Sequence, residues 1–165
     1  MLQLRGRSAL SEFRLKKLLA SLQSKIPDIA EIQTCFMHFV DVEQELSEEE
    51  IHILQQLLTY GETDSEKRFS GQQFIVVPRP GTISPWASKA TDIAHNCGLN
   101  TVHRIERGNV YDITTGSGNE LSAEDQQVIS TEIHDRMTES VLNVLDDPVC
   151  LFHQAEPAEL RSVDV

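Results

Sequence analysis

Apolar and polar positions along this chain alternate with two different periods, and the changes of period divide it into short elements. Leu2–Gly6 is a short strand candidate. Ser8 is placed to open a helix running from Ala9 to Lys25, with Leu10, Phe13, Leu18, Leu22 and Ile26 near helical spacing and Pro27 just past its end. Ile32 to Val42 then changes to period two. Ile32, Thr34, Phe36, His38, Val40 and Val42 share one face, and Cys35, Met37 and Phe39 the other. Both faces carry apolar residues, which predicts an interior strand of a sheet. Ser47 to Glu50 has the form of a capping box, so the acidic run there starts a helix with Ile51, Leu54, Leu57 and Leu58 as its core stripe and Gly61 as its stop.

The second half repeats these devices. Gln73–Arg79 is a β run ended by Pro78 and Pro80. Ser84 and Pro85 are spaced as cap and first residue of a helix to about Cys97, with Gly98 in the stop position. Thr101–Arg107 and Asn109–Thr114 read as two strands joined at Gly108–Asn109 by a hairpin-type link. Ser122 with Asp125 starts a last helix whose stripe, Ile129, Ile133, Met137, Val141 and Leu145, leads into a tail. The expectation is an α+β domain with a mixed or antiparallel sheet and helices on one face, spanning 1–145, with 146–165 as the start of a linker. Each half contains strand–helix–strand, so two fused ferredoxin-like halves are a further expectation.

Composition narrows the classes. The 165 residues are 39% hydrophobic and 24% charged, as in an ordinary globular chain. No apolar stretch approaches a membrane span, and the N-terminus lacks the apolar core of a secretory signal. Cys35, Cys97 and Cys150 are odd in number and far apart, which argues against a disulfide framework and for a cytoplasmic chain. The net charge of −12 disfavours a nucleic-acid partner. That charge is uneven: residues 1–25 hold six cations against Glu12 alone, a net of +5. This basic segment reads either as a solvated helix face or as a surface for a protein partner.

The stretch from Arg79 to Gly98 carries the strongest signal. Two prolines stiffen it, Gly81 permits close backbone approach, and a helix start offers amides to an anion. Arg79 and Lys89 flank it, and Trp86 is the only tryptophan. It reads either as a docking point for a phosphate, a carboxylate or a backbone, or as a capping loop with Trp86 packed beneath. His95 and Cys97 are two apart on a helix and point apart, so neither a Cys–His nucleophile nor a metal site is expected there. His38 and His134 read as structural histidines. The 115–119 Gly/Ser loop lacks the ending of a phosphate loop.

Residues Pro78 to Trp86 and Ser88 to Gly98 closely resemble the N-terminal region of the large, single-chain phosphoribosylformylglycinamidine synthase family, also called FGAM synthase or FGAR amidotransferase. Leu4–Gly6, Ser8–Ser11, Arg104–Gly108, His134–Glu139 and Ser162–Asp164 match in the same order. Ala87 departs from the serine expected there. The resemblance implies a parent enzyme of purine biosynthesis that uses ATP, magnesium and glutamine, with a synthetase core and a glutaminase domain that lie outside this chain. It implies that the present residues form a non-catalytic bridging module that needs no cofactor of its own and helps to pass ammonia. The face toward the synthetase core is then expected at Arg79, Pro80, Gly81, Thr82, Ser84, Trp86, Lys89, Asp92, His95, Asn96, Arg104 and Arg107. Weak self-association through faces meant for other domains is also expected. A small-ligand regulatory module holding a phosphate or nucleotide at Gly81–Trp86 is the alternative.

Overall fold

A computed structural model describes residues 1–61, 68–142 and 148–153. The elements, in chain order, are β1 Leu2–Arg5, α1 Glu12–Gln23, β2 Ile29–Val42, α2 Glu48–Leu58, β3 Gln72–Pro78, α3 Pro85–Asn96, β4 Val102–Thr115, α4 Ala123–Ile133 and β5 Glu139–Leu142. A 3-10 turn follows at Pro148–Phe152. The strands form one sheet in the order β1-β2-β4-β3-β5, and every neighbouring pair is antiparallel.

The β2–β4 ladder sets the frame. Its pairs Ile32↔Ile113, Thr34↔Tyr111, His38↔Arg107 and Val40↔Ile105 place these side chains on one face, since alternate residues share a face. All four helices bury their apolar stripes against that face. The helices form two separate cores. α1 and α4 close one around Leu22, Ile32, Tyr111, Ile113, Ile129 and Ile133. α2 and α3 close the other around Val40, Leu54, Leu58, Ala94 and Ile105. Each core thus takes one helix from each half of the chain, and both cores lie on a single sheet. On the opposite face Phe39, Val77 and Leu142 pack with Leu151 of the 3-10 turn. Part of the stretch assigned to a linker therefore packs on the sheet, while the boundary at 145–146 falls outside the described residues.

The capping boxes and stops form much as their spacing requires. Ser47 Oγ accepts from Glu50 N at 3.3 Å while the Glu50 carboxylate accepts from Ser47 N at 2.8 Å. Ser84 caps α3, Pro85 is its first residue, and Gly98 takes φ +89° after it.

Four expectations need correction. The cap of α1 is Ser11, whose Oγ accepts from Arg14 N, while Ser8 lies outside the helix and its Oγ donates to Leu10 O at 3.0 Å. Phe13, counted in the core stripe, is 76% exposed. The hairpin at Gly108–Asn109 does not exist: β4 runs unbroken from Val102 to Thr115. Gly108 lies mid-strand because a Cβ there would sit 2.8 Å from Val76 O and 3.0 Å from Val77 Cγ1. Finally, α4 stops at Ile133 instead of continuing through Met137 and Val141. Asp135 ends it, with its carboxylate accepting from Met137 N at 2.8 Å and its carbonyl from Glu139 N at 2.8 Å. The chain then turns into β5, where Val141 pairs with Val76, and Met137 is left 78% exposed. Leu145 lies outside the described residues.

Replacing Gly108 with alanine forces a backbone shift in a packed strand and is expected to cost about 1–3 kcal/mol. A denaturant titration checks this; an unchanged midpoint would contradict the close approach.

Candidate functional site

The Arg79–Ser84 loop joins the end of β3 to α3. It folds as a tight turn: Thr82 N donates to Arg79 O at 3.1 Å, and Gly81 takes φ +84° in the third position after Pro80. The loop is held to β4 by a buried carboxylate. Glu106 has no exposed surface and accepts from Ser84 N at 3.2 Å and from Ser84 Oγ at 2.9 Å. Arg104 pairs with the same carboxylate and donates to Thr82 O at 2.6 Å. The charge of Glu106 is thus buried but matched by a guanidinium and two neutral donors, the condition under which a buried ion is tolerated. Ser84 Oγ in turn accepts from Ala87 N at 3.0 Å, so the carboxylate, the cap and α3 form one connected unit.

The amides that might have received an external anion are largely committed. Pro85 has none, Ala87 N is capped, and Ser84 N points to Glu106. A fixed negative charge stands where a phosphate would bind. Among the described residues no group of three or more His, Cys, Asp or Glu is placed to hold a metal ion. These residues do not fit an ATP–magnesium group.

The remaining site residues fall into two sets. Arg79, Pro80, Gly81 and Thr82 are exposed on the turn, and Lys89, Asp92 and Asn96 lie three to four residues apart on the exposed side of α3. His95 ties the end of that helix to the sheet, its Nε2 lying 2.6 Å from Val102 O. Arg104 joins the loop, as described. Arg107, three residues on, points to the other face of the sheet and does not meet Arg104's partners.

Arg107 instead belongs to a cluster with Trp86. Its guanidinium lies 4.6 Å from the Trp86 ring centre and 4.2 Å from that of Phe36, and Nη1 donates to Tyr60 Oη at 3.1 Å. Tyr60 Oη lies 2.8 Å from His38 Nε2, and His38 Nδ1 lies 3.2 Å from Leu4 O. A carbonyl only accepts, so Nδ1 carries the proton and Nε2 accepts from Tyr60. The result is a directed chain from Arg107 through Tyr60 and His38 to Leu4. It joins β4, the end of α2, β2 and β1. Gly6 makes room for it, since a Cβ there would fall 2.8 Å from His38 Cε1. Both ring nitrogens of His38 are engaged within the fold, and His134 Nδ1 bonds Ser130 O. Tyr60, Phe36 and Glu106 carry no motif spacing and escaped the sequence reading of the site. Burial, partly offset by Arg5, pushes the Cys35 thiol up, so it stays protonated inside the sheet.

Beside the loop lies a groove of about 380 Å³ lined by Pro78, Arg79, Ile83, Pro85, Met137 and Glu139 among others. Ile83 is 54% exposed and Met137 78%, and Arg79 N donates to Thr138 O at 3.0 Å. The 78–98 stretch and the 134–139 stretch, remote in sequence, therefore meet at one exposed apolar surface.

Residues 35–152 match the family described as formylglycinamide ribonucleotide amidotransferase N-terminal. The chain belongs to that family. The match covers most of β2 and everything from α2 to the 3-10 turn, including the groove, the Glu106–Arg104 pair and the His38, Tyr60, Trp86 and Arg107 side chains, but not Leu4 or Gly6. It places the chain with the N-terminal domain of an amidotransferase of purine biosynthesis.

Burial, opposed by the Leu4 carbonyl and reinforced by the facing Arg107 charge, lowers the His38 imidazole from 6.5 to about 4. Below 6.5 the unfolded chain takes up a proton that the folded one refuses, so stability falls as pH drops from 6.5 toward 4. Going from pH 7.5 to pH 5 should cost roughly 2 kcal/mol in chemical denaturation. In His38→Gln that slope should largely vanish; an equal slope in both proteins would contradict the assignment.

Proposed function

We propose that this chain is a non-catalytic bridging domain whose loop–α3 face docks on the synthetase core of its amidotransferase and helps to couple that core to the glutaminase. Glutamine supplies ammonia at one site and the synthetase, activated by ATP and magnesium in other domains, consumes it at another. Ammonia that escapes is protonated and diluted, so a rigid body closing the gap contributes sequestration and positioning. The observation that carries this reading is the exposed groove at Ile83 and Met137, held in place from beneath by the buried Glu106–Arg104 pair. Exposed apolar side chains beside a cation, on a pre-ordered frame, suit a domain interface. The titratable groups behind the groove are occupied with one another, which favours a positional role over bond-making. A phosphate-holding regulatory module fits less well, because Glu106 occupies the helix start.

The test is a double charge reversal, Arg79→Glu with Lys89→Glu, in an intact amidotransferase that carries this chain. Glutamine-driven synthesis should fall by about tenfold, roughly 1.4 kcal/mol, while synthesis driven by added ammonium stays within about twofold. An equal loss of both would mean that the face shapes the synthetase site itself, and no loss of either would remove the docking role.

A further inference from the structure

A bridge needs two faces, and the loop–α3 surface is only one. We propose that the outer face of α1 is the second, and that it docks on an acidic protein surface with an apolar socket for Phe13. The proposal rests on the bridging role above. On α1, Phe13, Lys16, Lys17 and Ala20 are spaced i, i+3, i+4 and i+7, and all four are exposed. Arg14 beside them is exposed as well. The opposite side of the same helix supplies Leu15, Leu18, Leu19 and Leu22 to the core, so α1 is already anchored without Phe13. A phenylalanine left 76% exposed on such a helix contributes nothing to that core.

Charge complementarity selects the occupant. The exposed side of α1 carries Arg14, Lys16 and Lys17 against Glu12, a net of +2, on a chain whose total is −12. A long polyanion or an anionic membrane would meet the field of the acidic body as well as the basic patch. A protein surface of limited size can present carboxylates to Arg14, Lys16 and Lys17 alone, with Phe13 as the central anchor. The geometry also suits a bridge. α1 packs at the Ile32↔Ile113 end of the β2–β4 ladder, and α3 at the Val40↔Ile105 end. Eight residues of strand separate them, about 26 Å at the usual rise.

The experiment replaces Phe13 with a photo-crosslinking phenylalanine analogue in an intact amidotransferase carrying this chain. The expected product joins residue 13 to a peptide outside residues 1–165 that is rich in Asp and Glu. Adding Lys16→Glu and Lys17→Glu, or raising salt to about 1 M where charges are screened beyond about 3 Å, should lower the yield severalfold. A crosslink to a peptide without acidic residues, to a second copy of the chain, or to no protein would overturn the proposal. The yield does not depend on activity. Failure here with a selective loss in the Arg79/Lys89 variant removes the second face alone, and the reverse outcome removes the loop–α3 reading.

Discussion

The β2–β4 ladder is the constraint on which the rest depends. Two strands of 14 residues each run through both helical cores, so neither core can form without that pairing. The register also decides the chemistry. A slip of one residue would carry Ile105 and Arg107 to the face away from the helices, and Glu106 away from the loop. His38 and Arg107 meet because they are paired across the ladder, and Trp86 and Tyr60 then close around them.

From this ladder the structure builds a stiff loop by an electrostatic route. An unpaired buried carboxylate at Glu106 would be strongly unfavourable, so the fold must keep Arg104 and the Ser84 donors in place. That requirement orients the start of α3 more tightly than its proline and glycine alone could do. The same carboxylate gives the loop an internal partner in the position where many proteins bind an external anion. Arg79, Ile83 and Met137 are exposed on a frame that is already ordered, so the docking role proposed above would need no ordering of the loop.

Much of this was legible locally. Ser47 with Glu50, Ser84 with Pro85, and the alternation through β2 each encode an element by contacts within a few residues. The errors came where tertiary contacts override the local pattern. Gly108–Asn109 has turn composition, yet the closeness of Val76 requires a glycine within a strand. Ile133, Met137 and Val141 keep helical spacing by coincidence, while Asp135 captures the backbone amide of Met137 and turns the chain. Phe13 fits the helical stripe but lies on its outer edge. In the site, the loop was evident from its composition. The Glu106 anchor and the Arg107–Tyr60–His38 chain depend on cross-strand register, which no local spacing records.

The most direct measurement for the docking face is hydrogen exchange of the 79–90 segment, compared between this chain alone and an intact amidotransferase that contains it. In the chain alone, the amides of Ser84 and Ala87 should already exchange slowly, because Glu106 and the Ser84 cap hold them. In the intact enzyme, additional protection should appear at Gly81 and Ile83, on the exposed turn. Identical exchange in both forms would contradict a docked loop.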